Sequence, residues 1–229
     1  MNSVSTCVEA SSLPPTQRGR LITFEGGEGA GKSTLIAAVL AHLHAANIAF
    51  ELSREPGGTP LAEAIRSLLL AAEWQGVMQP ETELLLMFAA RAQLVRERVL
   101  PALQRGVWVI CDRFTDASYA YQGGGRGQPA ARIRELEQWA ALDLQPDLTF
   151  LLDLPVADGL TRVATRGAHD RMEQESLTFF ERVRASYRER AAAYPQRFRL
   201  IDASQSPQQV AAAVMQALDA WRQRLEPSA

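Results

Sequence analysis

Five short apolar runs punctuate the chain: Leu21-Ile22-Thr23-Phe24, Ile48-Ala49-Phe50-Glu51-Leu52, Val107-Trp108-Val109-Ile110-Cys111, Leu148-Thr149-Phe150-Leu151-Leu152 and Phe198-Arg199-Leu200-Ile201. Each has the length of a strand, and segments with helical spacing lie between them. Leu35, Val39, Leu40 and Leu43 share one helical face. Leu61, Ile65, Leu68 and Leu69 form the next stripe, which stops at a loop near residues 76–80. A longer helix from Glu81 to about Leu103 carries Leu84, Leu85, Phe88, Val95 and Val99; another over 131–142 has Ile133, Leu136 and Trp139 available to pack. Leu177, Phe180, Val183, Tyr187 and Ala191 keep the same period, as do Val210, Val214, Leu218, Trp221 and Leu225 at the end. Apolar strands alternating with helices of crossover length predict an α/β fold with a five-stranded, largely parallel sheet covered on both faces. Residues 1–19 are rich in Ser, Thr and Pro and lack periodicity, so they read as a disordered extension ahead of a single domain over 20–229.

The first strand runs straight into Gly26-Gly27-Glu28-Gly29-Ala30-Gly31-Lys32-Ser33, followed by Thr34 and a helix. This is the G-x-x-x-x-G-K-[ST] phosphate loop in its required strand-turn-helix context. Its glycines permit close backbone approach, and the unpaired amides at the helix start favour an anion. Lys32 is placed to reach the outer phosphates and Ser33 to hold Mg²⁺. The lysine, together with the lack of dinucleotide-type glycine spacing, makes this a P-loop fold and not a dinucleotide-binding one.

Composition narrows the partners. With 229 residues and 47% hydrophobic content the chain can bury one substantial core, and its formal charge of -2 gives no reason to expect a nucleic-acid polymer or an anionic membrane. No run approaches eighteen apolar residues and no signal-peptide core opens the chain, so the expected compartment is the cytoplasm. Cys7 and Cys111 have neither metal-ligand spacing nor a redox motif.

Further candidates sit beyond strand ends, where ligands gather in open α/β sheets. Arg54-Glu55-Pro56-Gly57-Gly58-Thr59 is a charged turn after the second strand, and Asp112-Arg113 follows the third. A carboxylate there can order a metal or phosphate network, and an arginine can grip phosphate with its rigid donor fork. Arg91, inside the apolar pattern of its helix, is either a solvated or interface arginine or a ligand contact. Gly123 to Gly127 reads as a mobile connector that Arg126 merely solubilises. Arg162 and Arg166 are four apart and share a helical face in a basic, lid-like stretch that also holds Arg171; a facing phosphate explains that clustering better than solvation. A P-loop alone does not separate kinase, ATPase and GTPase. The absence of an Asn/Thr-Lys-x-Asp stretch and the arginine-bearing segments suit transfer between two bound phosphorylated ligands, with a hydrolysing switch or motor as the alternative.

From Arg20 to Leu225 the sequence resembles bacterial thymidylate kinases. The matching stretches are Phe24 to Thr34, Arg54 to Thr59, Phe88-Ala89-Ala90-Arg91, Asp112-Arg113-Phe114, Ala120 to Gly127 and Arg166 to Glu173. The resemblance implies a nucleoside monophosphate kinase-like P-loop fold, transfer of the γ-phosphoryl of MgATP to thymidine 5'-monophosphate (dTMP), and a homodimer. It implies that Lys32 neutralises donor phosphates, that Ser33 and Asp112 hold the metal, and that Glu28 positions acceptor-side groups through water or Mg²⁺. Arg113 is similar to the family's acceptor-phosphate arginine, assisted by Arg66, with Glu55, Pro56 and Gln122 also lining the acceptor site. Arg91 and Ser118 resemble its base-edge contacts, and Tyr121 the residue whose bulk disfavours a ribose 2'-hydroxyl.

Two departures from the family pattern matter. Gly29 stands where some relatives carry a P-loop arginine, so the sequence looks like the form in which arginines of a lid at about 159–173 do that work, Arg166 first, with Arg162 and Arg171 in support. Met87 stands where relatives have a stacking phenylalanine. Either Met87 is a flexible apolar floor for the base, or its neighbour Phe88 approaches the ring. Alternatives to this activity are a kinase for another nucleoside monophosphate and a regulatory nucleotide-binding protein.

Overall fold

The computed structural model describes residues 18–164 and 170–225. Its sheet consists of β1 (Leu21–Gly26), β2 (Phe50–Arg54), β3 (Trp108–Asp112), β4 (Leu148–Asp153) and β5 (Phe198–Asp202). The spatial order is β2-β3-β1-β4-β5 and every pairing is parallel. Parallel neighbours need crossovers, and the helical segments supply them. They are α1 (Lys32–Ala45), α2 (Pro60–Leu70), α3 (Pro80–Leu94), α4 (Leu100–Gln104), α5 (Thr115–Ser118), α6 (Ala130–Ala140), α7 (Val156–Ala164), α8 (Leu177–Ala193) and α9 (Pro207–Gln223).

One face of the sheet is covered by α1 and α9, whose Leu35, Val39, Leu43, Val214 and Leu218 pack with Ile22, Phe24 and Phe150. On the other face lie the end of α3 with α4, and α8, forming separate apolar clusters with β3 and β4. β1 has β3 on one side and β4 on the other, so the strand order reverses there, where the ligand crevice of an open sheet belongs. Register brings Arg54 opposite Asp112, and Gly26 opposite Leu152. The ends that carry the candidate residues therefore emerge side by side.

Several expectations need correction. The second strand occupies 50–54, not 48–52, because Ser53 and Arg54 continue the ladder to Cys111 and Asp112. The long helix ending near Leu103 is interrupted by a π-helical turn, Val95–Val99, just ahead of Pro101, which has no N–H to give to the preceding turn. Gly123 to Gly127 is not a mobile connector. Tyr119–Gly125 winds as a π-helical segment against α8, and a Cβ on Gly124 or Gly125 would come within 2.8 Å of the Arg182 carbonyl or 2.4 Å of the Phe179 ring. Arg126 is no solubiliser either, since it pairs with Glu83 at 3.1 Å and Glu175 at 2.8 Å. Trp139, expected to pack, is 76% exposed, and Leu61 and Leu68 are exposed because α2 turns Ala62 and Leu69 inward instead. Residues 18 and 19 belong to the packed body: Arg18 pairs with Asp147 at 2.6 Å and the Gly19 amide donates to Leu103. The rest of the expected extension, 1–17, lies outside the described residues.

Candidate active site

At the carboxyl ends of β1, β2 and β3 a cleft of about 310 Å³ runs from the P-loop to α3. Its first end is the turn between β1 and α1. Gly29 and Gly31 adopt φ of 69° and 89°, and among the described residues no side chain caps the start of α1. The N–H groups there remain for an anion. Lys32, the first residue of α1, is buried and its Nζ donates to the carbonyls of Gly26 and Gly27, 3.2 Å each. Burial, then the neighbouring Arg113 charge, pulls its pKa below the ordinary lysine value. Helix α7 presses directly on this loop: a Cβ on Gly29 would sit 2.2 Å from the Gly159 carbonyl.

Arg113 occupies the middle of the cleft with φ of 68°, a left-handed conformation unusual for a side-chain-bearing residue. The surrounding structure holds it there. Its amide donates to Phe24 O at 3.0 Å, and its guanidinium donates to Gly26 O at 2.9 Å, to Tyr187 Oη at 3.2 Å and to Glu28 Oε1 at 2.7 Å. The next amide, Phe114 N–H, donates to Glu25 Oε1 at 2.7 Å, and Tyr187 Oη donates to the other Glu25 oxygen at 2.7 Å. Glu25 is fully buried; that burial, with Asp116 nearby, pushes its carboxyl up to about 8. Arg66 also lines the cleft and donates to Pro56 O at 2.8 Å; burial and the Arg54 charge lower its pKa. Lys32, Arg54, Arg66 and Arg113 thus crowd one wall, an arrangement that an anion relieves.

Asp112, at the end of β3, keeps Oδ1 buried with no partner among the described residues. Ser33 stands across the same cleft on the first turn of α1. Among the described residues there is no cluster of three or more His, Cys, Asp or Glu that could hold a metal. The unpartnered Asp112 oxygen and the Ser33 hydroxyl are hard oxygen donors of the kind that would take one or two positions on a Mg²⁺ carried by nucleotide phosphates.

Towards α3 the lining residues include Glu55, Pro56, Met87, Tyr121 and Gln122. The Tyr121 hydroxyl donates to Glu28 Oε1 at 2.7 Å; its ring lies under Arg113 and meets Phe179 and Tyr187 edge-on. Met87 faces the cleft, whereas Phe88 is packed among Leu84, Ile133 and Ala140. Arg91 is neither solvated nor on the surface: at 1% exposure it donates to Glu55 Oε2 at 2.7 Å, Ser118 Oγ at 2.9 Å and Phe114 O at 3.1 Å. Ser118 is buried with it.

Of the lid candidates, Arg166 lies outside the described residues. Arg162, on α7, donates to Gly29 O and Ala203 O at 3.4 Å. Arg171 is buried, with Nε on Leu69 O at 2.7 Å and Nη2 on Glu83 at 2.7 Å. Sequence reasoning passed over Glu25, Glu83, Asp170 and Tyr187. Asp170 lines the cleft and its side chain accepts from the amides of Met172 and Glu173 at 2.9 and 3.0 Å. A charged residue closing an apolar strand was the available signal for Glu25, and the spacing of Glu83, Met87 and Arg91 on one helical face was the signal for Glu83.

Residues 24–214 match the family model described as thymidylate kinase. Curated relatives carrying that name include one from Pseudomonas syringae pv. tomato, 58% identical over 82% of this chain and 89% of its own length. Another, from Vesicomyosocius okutanii, is 55% identical over 83% of this chain and 92% of its own length. A third, from Alkalilimnicola ehrlichii, is 54% identical over 88% of this chain and 93% of its own length.

Proposed function

The chain belongs to the thymidylate kinase family and transfers the terminal phosphoryl of ATP to dTMP, giving ADP and thymidine 5'-diphosphate, and from this we propose how its own residues divide the work. The observation that carries the assignment of roles is the continuity of the cleft: a phosphate cradle at one end, a pocket floored by Met87 at the other, and Arg113 between them.

The P-loop amides and Lys32 hold the β- and γ-phosphates, and Ser33 and Asp112 would hold Mg²⁺, which supplies neutralisation of charge on the transferring group. Arg113, fixed by Glu28, and Arg66 grip the acceptor phosphate, so an oxygen of that phosphate lies in line with the γ-phosphorus. That oxygen is already ionised at neutral pH, and no general base is required. Alignment and neutralisation then account for the rate. Arg166, with Arg162 beside Gly29, completes the neutralisation from the lid at about 159–173, with Arg171 as its root. On the acceptor side Met87 is the floor for the thymine ring, the Gln122 amide oxygen accepts from its N3–H, and Arg91 uses N–H groups not engaged internally for the base edge. Glu55 and Pro56 close the wall, and Tyr121 fills the space a 2'-hydroxyl would need.

Two copies form the active protein in this reading. Leu85 and Trp139, 57% and 76% exposed, flank a groove on α3 and α6 whose rim carries Glu81, Glu135 and Arg132. An apolar centre with both charge signs at its edge is self-complementary under a two-fold axis. Among the described residues no helix is long and apolar enough to cross a membrane.

The deciding experiment measures ADP formation from MgATP with dTMP, deoxyuridylate, uridylate, cytidylate and adenylate in parallel, with no-acceptor controls. Preference for dTMP with little background hydrolysis is expected. Preference for a different base overturns the acceptor-pocket roles, and ADP formation independent of acceptor overturns the transfer reading.

A further inference from the structure

The wall of the cleft contains a carboxylate that no step above uses. Glu83, on α3, is 1% exposed. Its Oε1 accepts from Gln122 Nε2 at 2.8 Å, its Oε2 accepts from Arg171 Nη2 at 2.7 Å, and Arg126 Nε reaches both oxygens at 3.3 and 3.1 Å. Burial by itself would raise this carboxyl, but the Arg126 charge, the Gln122 bond and Arg171 hold it below the usual carboxylate range. An ionised carboxylate can only accept hydrogen bonds.

That acceptor-only character has a consequence for Gln122. A side-chain amide offers a donor at one end and an acceptor at the other, and Glu83 takes the donor end. The acceptor end, Gln122 Oε1, is buried without a partner among the described residues, while Gln122 lines the cleft. A pyrimidine ring presents an N–H at N3 in thymine and a lone pair there in cytosine. We propose that Glu83 is a specificity-positioning residue: by fixing the orientation of the Gln122 amide it makes the acceptor pocket complementary to a base that donates from N3. The proposal rests on the reading that Gln122 faces the base.

Glu83→Gln is the informative change. The new amide turns its oxygen to Arg171 and Arg126 and its NH₂ to Gln122, so Gln122 must reverse and present NH₂ to the cleft. The probes are dTMP and its 3-deaza analogue, in which N3–H is replaced by C–H, assayed as kcat/KM with the full-length enzyme. Native enzyme should prefer dTMP by roughly ten- to hundredfold, the scale of one hydrogen bond to a buried acceptor. E83Q should collapse that ratio towards one, chiefly by losing dTMP, and Glu83→Asp, which keeps an acceptor-only group, should retain most of it.

If Glu83 merely supports the fold or the lid, E83Q lowers both acceptors by the same factor, and an unchanged ratio overturns the proposal. Gln122→Ala separates the two layers. A ratio lost in Q122A but kept in E83Q rejects Glu83 alone, whereas a ratio kept in Q122A rejects the placement of Gln122 and the proposal with it. Should E83Q fail to fold, the side-chain NH₂ signal of Gln122 in the native protein, assigned by its loss in Q122A, decides. Exchange protection that is present without nucleotide and unaltered by dTMP supports the proposal; transfer of that donor onto dTMP overturns it.

Discussion

Replacing Gly29 by alanine should destabilise the protein strongly, and the structure separates the two causes. The φ of 69° places Gly29 in the left-handed region, which costs a side-chain-bearing residue about 1–2 kcal/mol. A Cβ would also lie 2.2 Å from the Gly159 carbonyl, so α7 must move, an overpacking penalty of about 1–3 kcal/mol. The sum, roughly 2–5 kcal/mol, corresponds to a fall in Tm of about 5–15 °C for a domain of this size. Three companion variants act as controls. Gly31→Ala meets open space at φ 89° and should show the conformational cost alone; Gly159→Ala, whose Cβ would lie 2.4 Å from the Glu28 carbonyl, should show the packing cost alone, offset in part by helix propensity. Gly27→Ala has neither problem and should melt with the native protein. Calorimetry of the four variants without nucleotide is the assay. If Gly29→Ala and Gly27→Ala melt together, α7 does not rest on the P-loop and the link between loop and lid fails with it.

Other outcomes follow from the same geometry. Lys32→Ala should lower turnover by roughly 10²–10³-fold because donor charge is left uncompensated, and near-normal dTMP phosphorylation by the folded variant would refute that role. Arg166→Ala should lower kcat with little change in KM for dTMP; unaltered steady-state constants would remove it from the lid mechanism. Tyr121→Ala should narrow the discrimination between dTMP and its ribo counterpart, measured as paired kcat/KM values, and an unchanged ratio rejects the steric account. Glu25 has a folded-state pKa raised from 4.5 to about 8, so between those values the unfolded chain has lost a proton that the native state keeps. Its contribution to stability is therefore complete below about pH 4.5 and is lost as pH rises towards 8. The Tm difference between Glu25→Gln and the native protein should grow in favour of the variant across that window, and parallel pH profiles would contradict it.

The strands and the phosphate loop were legible because their signals are local: an apolar run of strand length needs only its own residues to be recognised. The pairing of Arg126 with Glu83 was not, because it joins positions 43 apart and no local pattern links the two. The Gly123 to Gly127 stretch was misread since glycine content suits a flexible connector and a tight helix contact equally well; only the presence of Phe179 and Arg182 on α8 distinguishes them. Met87 and Phe88 are neighbours on one helix, and periodicity alone did not say which of the two faced inward to Ile133 and which to the cleft. Arg91 presented the same difficulty in sharper form, because its burial depends on Glu55 at the far end of β2.

The π-helical winding of Tyr119–Gly125 makes part of substrate recognition a matter of counting. Tyr121 and Gln122 are consecutive, yet both reach the cleft, as the wider turn of a π-helix permits. Removing one residue from Gly123 to Gly125 would let the segment relax to ordinary α-helical pitch and rotate everything beyond the deletion about the axis. Asp116, tied to Arg190 and Arg197 upstream of that point, would keep its place. A chain one glycine shorter would thus retain its phosphate loop, its sheet and its core, with Tyr121 and Gln122 upstream of the cut, while losing the phase that sets Arg126 beside Gln122 on Glu83, so that the support behind the pocket would change without any residue of the pocket having been substituted.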